Sequence, residues 1–373
     1  MKSHEFSMFA ACVPGLEEVA ALELDNLDIK GIKVIPGGVE FIGDLSTLYK
    51  VNIWFRSPLR VLVRVDTFFA AHLSELHKKS KKVPWEKFLD KRVPVCVKAT
   101  CRKSRIYHSK AAAERVAKGI AERLQLSHIE GTPEKKGEML AVLVRLEHDH
   151  VTISLDSSGA NLHFRGYRTE SVGAPLRENL GAAILYMSGW GQEEVLVDPM
   201  CGSGTIPIEG AMIAANIAPG LNRQFAFMNW AGFDEKLFIE TIEAAKKKIR
   251  VPLKNIYASD RDAKACEVTL RNAKRAMVAD FIIIRNHPVS EFITKEEKGM
   301  IICNPPYGIR IGERKKLKRL YSALGKTLEK QSVDWRLSLI TSDQHLAAST
   351  GQRFKSMSAP FPNGGVRIKL YCT

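Results

Sequence analysis

Hydrophobic and polar positions follow two rhythms along the chain, and the change of rhythm divides it. Ser7-Met8-Phe9-Ala10-Ala11-Cys12 is a short apolar run that reads as a buried strand, and Pro14-Gly15 turns the chain after it. Leu16, Val19, Ala20, Glu23 and Leu27 then fall at helical spacing. Lys33-Val34-Ile35 and Val39-Glu40-Phe41-Ile42 flank Pro36-Gly37-Gly38, which signals a hairpin. Together these predict a small α+β unit over residues 1–56. A second unit is expected over residues 57–165. Leu59, Val61, Val63 and Val65 alternate as in a strand, residues 94–99 form another, and residues 140–146 and 151–155 form two more around a polar turn. Val116, Ile120 and Leu124 lie on one stripe of a helix over residues 109–126, with Ser109 as its N-cap. Beyond a polar, Gly-containing stretch at 159–172 the rhythm changes to short apolar strands between helices. Strands are expected at 195–197, 255–258, 281–284, 300–303 and 336–341, and helices at 176–188, 205–215, 262–276 and 317–329. Wholly apolar short strands between helices predict a parallel sheet covered on both faces, a doubly wound α/β domain over residues 166–373.

Charge changes this picture. The formal net charge is +15, from 56 Lys+Arg against 41 Asp+Glu, and it is positive both up to Arg165 and beyond it. A spread excess of this kind points to a broad face for a polyanion, and nucleic acid is the leading partner. Lys78, Lys79, Lys81 and Lys82, then Arg102, Lys103 and Arg105, interrupt the apolar pattern in connections and are expected at the surface. The seven cysteines include no Cys-x-x-Cys pair, so neither a disulfide framework nor a zinc site is expected, and a cytoplasmic setting fits. No run of about 18 apolar residues is present, and the start lacks a secretory pattern. No membrane partner and no metal are expected. The oligomeric state is not legible.

Three motifs carry chemistry. Asp198-Pro199-Met200-Cys201-Gly202-Ser203-Gly204-Thr205 follows an apolar strand and opens a helix. Glycines let the backbone approach a ligand, and the helix start offers free N–H groups. An acidic residue ending the strand repels a pyrophosphate but suits a cationic amino-acid moiety, which favours S-adenosyl-L-methionine over ATP or NAD. Asp260 ends the next strand, where a carboxylate can accept both ribose hydroxyls; Asp262 is the other candidate and can instead serve the following helix. The wide gap between Gly204 and Asp260 requires an insertion, for which the aromatic stretch 218–233 is the candidate. Asn304-Pro305-Pro306-Tyr307 follows a third apolar strand. Successive prolines keep the loop extended. The Asn304 side-chain oxygen and the Pro305 carbonyl can each accept one N–H of a planar amine, localising its lone pair for attack on a methyl group, while Tyr307 stacks on the ring. The loop alone does not choose guanine over adenine, RNA over DNA, or a base over a glutamine amide. The basic run from Arg310 to Arg319 is either a solvated helix face or a phosphate contact. Phe361 either stacks on a flipped base or belongs to the core.

On these residues, with Pro14-Gly15-Leu16-Glu17, Leu162 to Arg168, Ala174 to Leu180 and Asn216 to Leu221, the chain resembles the THUMP-containing RNA guanine-N2 methyltransferases over nearly its whole length. The likeness is greatest to those acting on 23S rRNA. The resemblance implies a ferredoxin-like N-terminal region, a THUMP module that grips RNA, and a Rossmann-like class I methyltransferase domain. It further implies that Asp198 to Thr205 holds the methionine part of the cofactor, Asp260 the ribose, and Asn304 to Tyr307 the guanine. Such enzymes place an Asp beside the adenine amine, whereas this chain reads Arg285-Asn286-His287-Pro288. Asn286 and His287 are the candidates there. Action on tRNA, or an RNA-binding assembly role without catalysis, are the alternative readings.

Overall fold

The computed structural model describes residues 5–126, 129, 139–173, 175–307, 314–331 and 334–373. The N-terminal part runs β1 (Phe6–Ala11), α1 (Glu17–Asn26), β2 (Lys33–Ile35), β3 (Gly38–Gly43), α2 (Leu45–Trp54), β4 (Arg60–Phe69), α3 (Leu73–Lys82), β5 (Val95–Arg102), α4 (Ser109–Leu124), β6 (Leu140–Glu147) and β7 (His150–Asp156). Its strands form one sheet in the order β2-β3-β1-β4-β7-β6-β5. β1 pairs with β4 from Ser7↔Arg64 to Ala11↔Arg60, so the sheet runs across residue 56 without a break. α4 is capped one residue earlier than its sequence suggests: His108 Nδ1 accepts the Ala111 N–H at 3.2 Å. Lys78, Lys79, Lys81 and Lys82 sit on α3, not in a connection. Among its residues only Leu76 and Ser80 are buried, too few to show a periodicity.

The C-terminal part runs α5 (Glu178–Met187), β8 (Val195–Asp198), α6 (Thr205–Ala214), α7 (Glu235–Lys246), β9 (Ile256–Asp260), α8 (Ala263–Arg275), β10 (Ile282–Asn286), β11 (Lys298–Cys303), α9 (Arg314–Glu329), β12 (Asp334–Thr341), α10 (Gln344–Ala348), β13 (Ser356–Met357), β14 (Phe361–Asn363) and β15 (Val366–Cys372). The sheet order is β10-β9-β8-β11-β12-β15-β13, with β14 pairing β15. The β8, β9, β10, β11 and β12 neighbours are parallel, and β15 is antiparallel to β12. No helix of the described residues is long and apolar enough to cross a membrane.

Two structures join the parts. The stretch between α6 and α7 does not cover the ligand side of the C-terminal sheet but straps it to the N-terminal one. Gly220 N–H donates to the Ile53 carbonyl at 2.9 Å, Phe227 N–H to Ser157 at 3.1 Å, and Ala231 N–H to Phe88 at 3.1 Å. The Phe227 ring stacks on Tyr49 with centroids 4.7 Å apart, and Phe225, Phe227 and Trp230 belong to the core beneath the N-terminal sheet. A Cβ at Gly220 would meet Ile53 Cα at 2.7 Å, which is why glycine stands at the crossing. The second joint is polar. Arg165 Nη2 donates to the Arg56 carbonyl at 2.5 Å and Nη1 donates to the Leu162 carbonyl. Its Nε lies 3.5 Å from Glu209 on α6, with both side chains essentially inaccessible. Tyr167 donates its hydroxyl proton to the same carboxylate at 3.0 Å.

Removing one partner of a buried ion pair leaves an uncompensated charge. Glu209→Ala is therefore expected to cost about 3–5 kcal/mol of unfolding free energy in urea titration. Replacing Arg165 and Glu209 together by Met is expected to recover most of it; equal losses in the single and double variants would count against the pairing.

Candidate active site

β8 and β11 pair in parallel from Gly299↔Val195 to Ile301↔Val197. The chain builds the sheet outward in both directions from this pair, and doubly wound sheets bind ligands at such a switch point, outside the carboxyl ends of the strands. The loops that leave β8 and β11 line one cavity of about 460 Å³. Asp198, Cys201, Gly202 and Thr205 come from one loop and Asn304, Pro305, Pro306 and Tyr307 from the other. That volume lies within the range of small-molecule sites.

The glycine loop is held from behind. Gly202 and Gly204 have φ of +55° and +84°, and a Cβ at Gly204 would meet Thr269 Cγ2 at 2.8 Å. From α8, Thr269 donates its hydroxyl proton to the Gly202 carbonyl at 3.0 Å, and Asn272 Nδ2 donates to the Ser203 carbonyl at 3.0 Å. Cys201 N–H donates to Ser259 at 2.9 Å. The cavity-facing side of the loop is left to a ligand.

Asp198 is 2% exposed. Its carboxylate accepts the Met200 N–H at 3.2 Å, and no basic side chain pairs with it among the described residues. Burial pushes its pKa up to about 8, and the Asp260 carboxylate adds to the rise. A buried carboxylate without a cation suits a ligand that brings one. On the other loop, Asn304 Oδ1 is buried and has no hydrogen-bond partner. The loop is braced at two points: Tyr321 donates its hydroxyl proton to the Pro306 carbonyl at 3.5 Å, and Tyr307 Oη accepts from Asn363 Nδ2 at 2.9 Å. Burial raises the Tyr307 pKa, which keeps the phenol neutral.

Other predicted residues stand apart from the cavity wall. Pro199 is buried behind the loop, and Gly204 is the N-cap of α6. The Asp260 carboxylate accepts the Gly202 N–H at 3.1 Å and the Asp262 N–H at 3.0 Å, so it adjoins the cavity through Gly202. Asp262 caps α8 by accepting the Lys264 N–H at 3.0 Å. Asn286 Nδ2 donates to the Asp260 carbonyl at 2.8 Å, while His287 lines a separate cavity of about 70 Å³ with Tyr257 and Phe292. Phe361 is corrected: it is 0% exposed and packs with Val13, Leu16 and Tyr167. Along β14 the side chains alternate, so Phe361 and Asn363 share the inward face opposite Pro362; Phe361 is spent on the core, and Asn363, two residues further on, lines the cavity. Lys78 is exposed on α3, but Lys79 Nζ is committed to the Phe69 carbonyl at 2.6 Å. Arg102 and Arg105 are exposed with loose ion pairs to Glu147 (3.7 Å) and Asp149 (3.8 Å), and Lys103 is exposed. Arg310 lies outside the described residues. Sequence reasoning missed Leu176, Ile206, Asn363 and Gly364 as lining residues. For the last two, the hairpin chemistry of Asn363-Gly364-Gly365 was the available signal. Among the described residues no group of three His, Cys, Asp or Glu could hold a metal ion.

Comparison with known proteins agrees with this architecture. Residues 165–369 match the RMKL-like methyltransferase domain, residues 7–62 the RlmL ferredoxin-like domain, and residues 70–156 the THUMP domain. The chain is 35% identical to ribosomal RNA large subunit methyltransferase K/L of Methylococcus capsulatus, over 97% of this chain and 50% of that protein. It thus spans about half the length of that relative. It is 34% identical to YpsC of Bacillus subtilis, which carries the name of an RNA methyltransferase, over 98% of this chain and 95% of that protein. The crystal structure of SMU.472 complexed with SAH superposes with a TM-score of 0.88 at 31% identity, covering 100% of this chain and 98% of that one.

The Asp198 carboxyl has a folded pKa above its unfolded value, so the protonated form is favoured by folding. Its contribution to stability is complete below about 4 and is lost as pH rises through about 8. Chemical denaturation of the ligand-free protein across this interval is expected to give a steeper loss in the native chain than in Asp198→Asn. Parallel pH profiles would refute the assignment.

Proposed function

This chain belongs to the RMKL-like methyltransferase family, joined to an RlmL ferredoxin-like domain and a THUMP domain, and on that premise we propose that it methylates the exocyclic N2 amine of a guanine in structured RNA. The methyl donor is S-adenosyl-L-methionine and the RNA is 23S rRNA. Residues 57–165, beside the ferredoxin-like region 1–56, grip the RNA, and residues 166–373 carry out the reaction. The seven free thiols and an RNA substrate fit the cytoplasm.

One observation carries the reading. A buried carboxylate without a cation (Asp198) and a buried amide oxygen without a donor (Asn304) line the same cavity. They suit the two halves of a methyl transfer to nitrogen. S-adenosylmethionine supplies an electrophilic methyl group on a sulfonium and an ammonium that complements Asp198. Asp260 stands behind Gly202 for the ribose. Asn286, whose Nδ2 is engaged and whose Oδ1 is left to accept, serves the adenine amine. Asn304 Oδ1 and the Pro305 carbonyl accept the two N–H bonds of the guanine amine, drawing its lone pair out of conjugation and aiming it at the methyl group. Tyr307, held by Asn363, supports the base face. No strong base is required, since the amine becomes acidic as the new N–C bond forms and its proton passes to solvent.

Incubating the chain with S-adenosylmethionine and separate rRNA, tRNA and DNA, then digesting to nucleosides for mass spectrometry, tests this. N2-methylguanosine in rRNA is the expected product; N6-methyladenosine overturns the guanine assignment, and modification confined to tRNA overturns the substrate. Asn304→Ala is expected to lower kcat by about 10²–10³-fold, the loss typical of one preorganised polar group, with little change in calorimetric cofactor affinity.

A further inference from the structure

Residues 159–177 link the two parts, and Leu162, His163, Arg165, Tyr167 and Leu176 among them are buried. Arg165 and Tyr167 meet Glu209, Arg168 pairs with Glu178 at 2.5 Å, and His163 is 7% exposed. Phe164 and Arg177 are among the exposed side chains of this stretch. Phe164 is 59% exposed. Its ring backs onto His163, with centroids 4.1 Å apart and planes tilted by 41°. One face is thus supported and the other is left to solvent. Arg177 is exposed, and its guanidinium has no hydrogen bond or ion pair among the described residues. It occupies the N-cap of α5, where the helix dipole is positive and disfavours a cation. Of the four arginines acting on His163, Arg177 has the largest effect. With burial as the main cause, they bring the imidazole down to about 4 and keep it neutral. Asn179, two residues beyond Arg177, donates to the Ser57 carbonyl at 3.1 Å, and Arg165 donates to the neighbouring Arg56 carbonyl, so the start of α5 and the His163–Arg165 stretch meet at one turn of the chain. Pro175 and Leu176, the chain neighbours of Arg177, line the cavity.

We propose that Phe164 and Arg177 form a clamp at the rim of the cavity for the nucleotide adjoining the target base. Phe164 stacks on that nucleotide's base, and Arg177 pairs with its phosphate. A cation set against a helix dipole without an acidic partner gains from an anion, and a phenyl ring with one open face gains from a planar ring. A nucleotide in a single strand offers both at once, and stacking of this kind tolerates any base. The clamp rests on the RNA reading above and gives it a residue-level contact outside the N-terminal module. It holds the strand where the target leaves it and so favours presentation of one flipped base.

The test is equilibrium binding of a fluorescent single-stranded oligoribonucleotide to the full chain over a salt series, with SAH calorimetry to verify an intact cavity. Phe164→Ala is expected to weaken RNA binding by about 5- to 150-fold without changing the salt slope, and Phe164→Trp to restore it. Arg177→Gln is expected to weaken binding and to reduce the slope of log K against log salt by about 0.7, as for one lost phosphate contact on a single strand. Wild-type affinity and slope in both Phe164→Ala and Arg177→Gln overturn the clamp, as does a native chain that does not bind the oligonucleotide. Nucleoside mass spectrometry separates the two proposals. Bound RNA without N2-methylguanosine sinks the reaction and leaves the clamp, while N2-methylguanosine with unaffected variants sinks the clamp and leaves the reaction.

Discussion

One buried guanidinium, Arg165, sets the relation between the two halves of this molecule. It is 5% exposed and reaches the Arg56 carbonyl on the N-terminal side and the Glu209 carboxylate on α6. Around it the pattern repeats. Glu23 accepts the backbone N–H groups of Arg56 (2.6 Å) and Ser57 (2.9 Å), Arg56 Nη2 donates to the Ile217 carbonyl at 2.6 Å, and Asn179 Nδ2 donates to Ser57 at 3.1 Å. An apolar junction of equal volume can be as stable as a buried ion network. It lacks direction, however, whereas hydrogen bonds to fixed carbonyls tolerate little rotation. α6, which carries Glu209, begins at the glycine loop, and Arg168 donates to the Leu176 carbonyl on the cavity wall at 2.6 Å. The same network that orients the halves therefore also anchors the cavity.

The aromatic strap between α6 and α7 supplies the apolar share of that junction. Arg223 turns its guanidinium onto the carbonyls of Asn161 and Ala160, at 3.1 and 2.6 Å, and its pKa is brought down to about 10 by burial. Around the Phe227 ring, Tyr49, Phe225 and Phe238 then pack with centroids 4.7, 5.1 and 5.5 Å away. Polar groups fix the angle and rings supply the burial. Neither could be inferred from the insertion's length.

The sequence was most readable where one physical rule dominated. The apolar strands that became β8, β9 and β11 stand between helices, and burial on both faces leaves no polar position to blur them. Asn304-Pro305-Pro306-Tyr307 was readable because proline restricts its own backbone and its neighbour's. α3 escaped notice because it packs through one leucine and one serine and is otherwise polar. α7 escaped for the opposite reason: its apolar face meets the other half of the chain, and Tyr49 beneath it is distant in sequence. Phe361 sits among Pro360, Pro362 and Asn363 and has the look of a loop. Only the pairing Phe361↔Ile368 shows which way the ring turns. Residues that hold the cavity from behind, Thr269 and Asn272, lie on a helix whose sequence carries no sign of the loop they support.

Net charge deserves the same scrutiny, because a count of +15 overstates what the surface offers. Arg56, Arg165 and Arg223 are consumed by backbone carbonyls, and Arg60 and Arg168 by buried carboxylates. What remains is not evenly placed. Helices ordinarily favour acids in the first turn and bases in the last. α9 inverts this: its first turn carries Arg314, Lys315 and Lys316, all exposed and with no acid among them, and it follows the Asn304–Tyr307 loop in the chain. α5 carries Arg177 at its N-cap, beside the cavity residue Leu176, while the acid of its first turn, Glu178, is paired with Arg168. At the start of α9 the dipole and the side chains add instead of cancelling, so positive potential is concentrated there. Such an arrangement is unfavourable for an isolated helix and becomes favourable when a polyanion is present to share it.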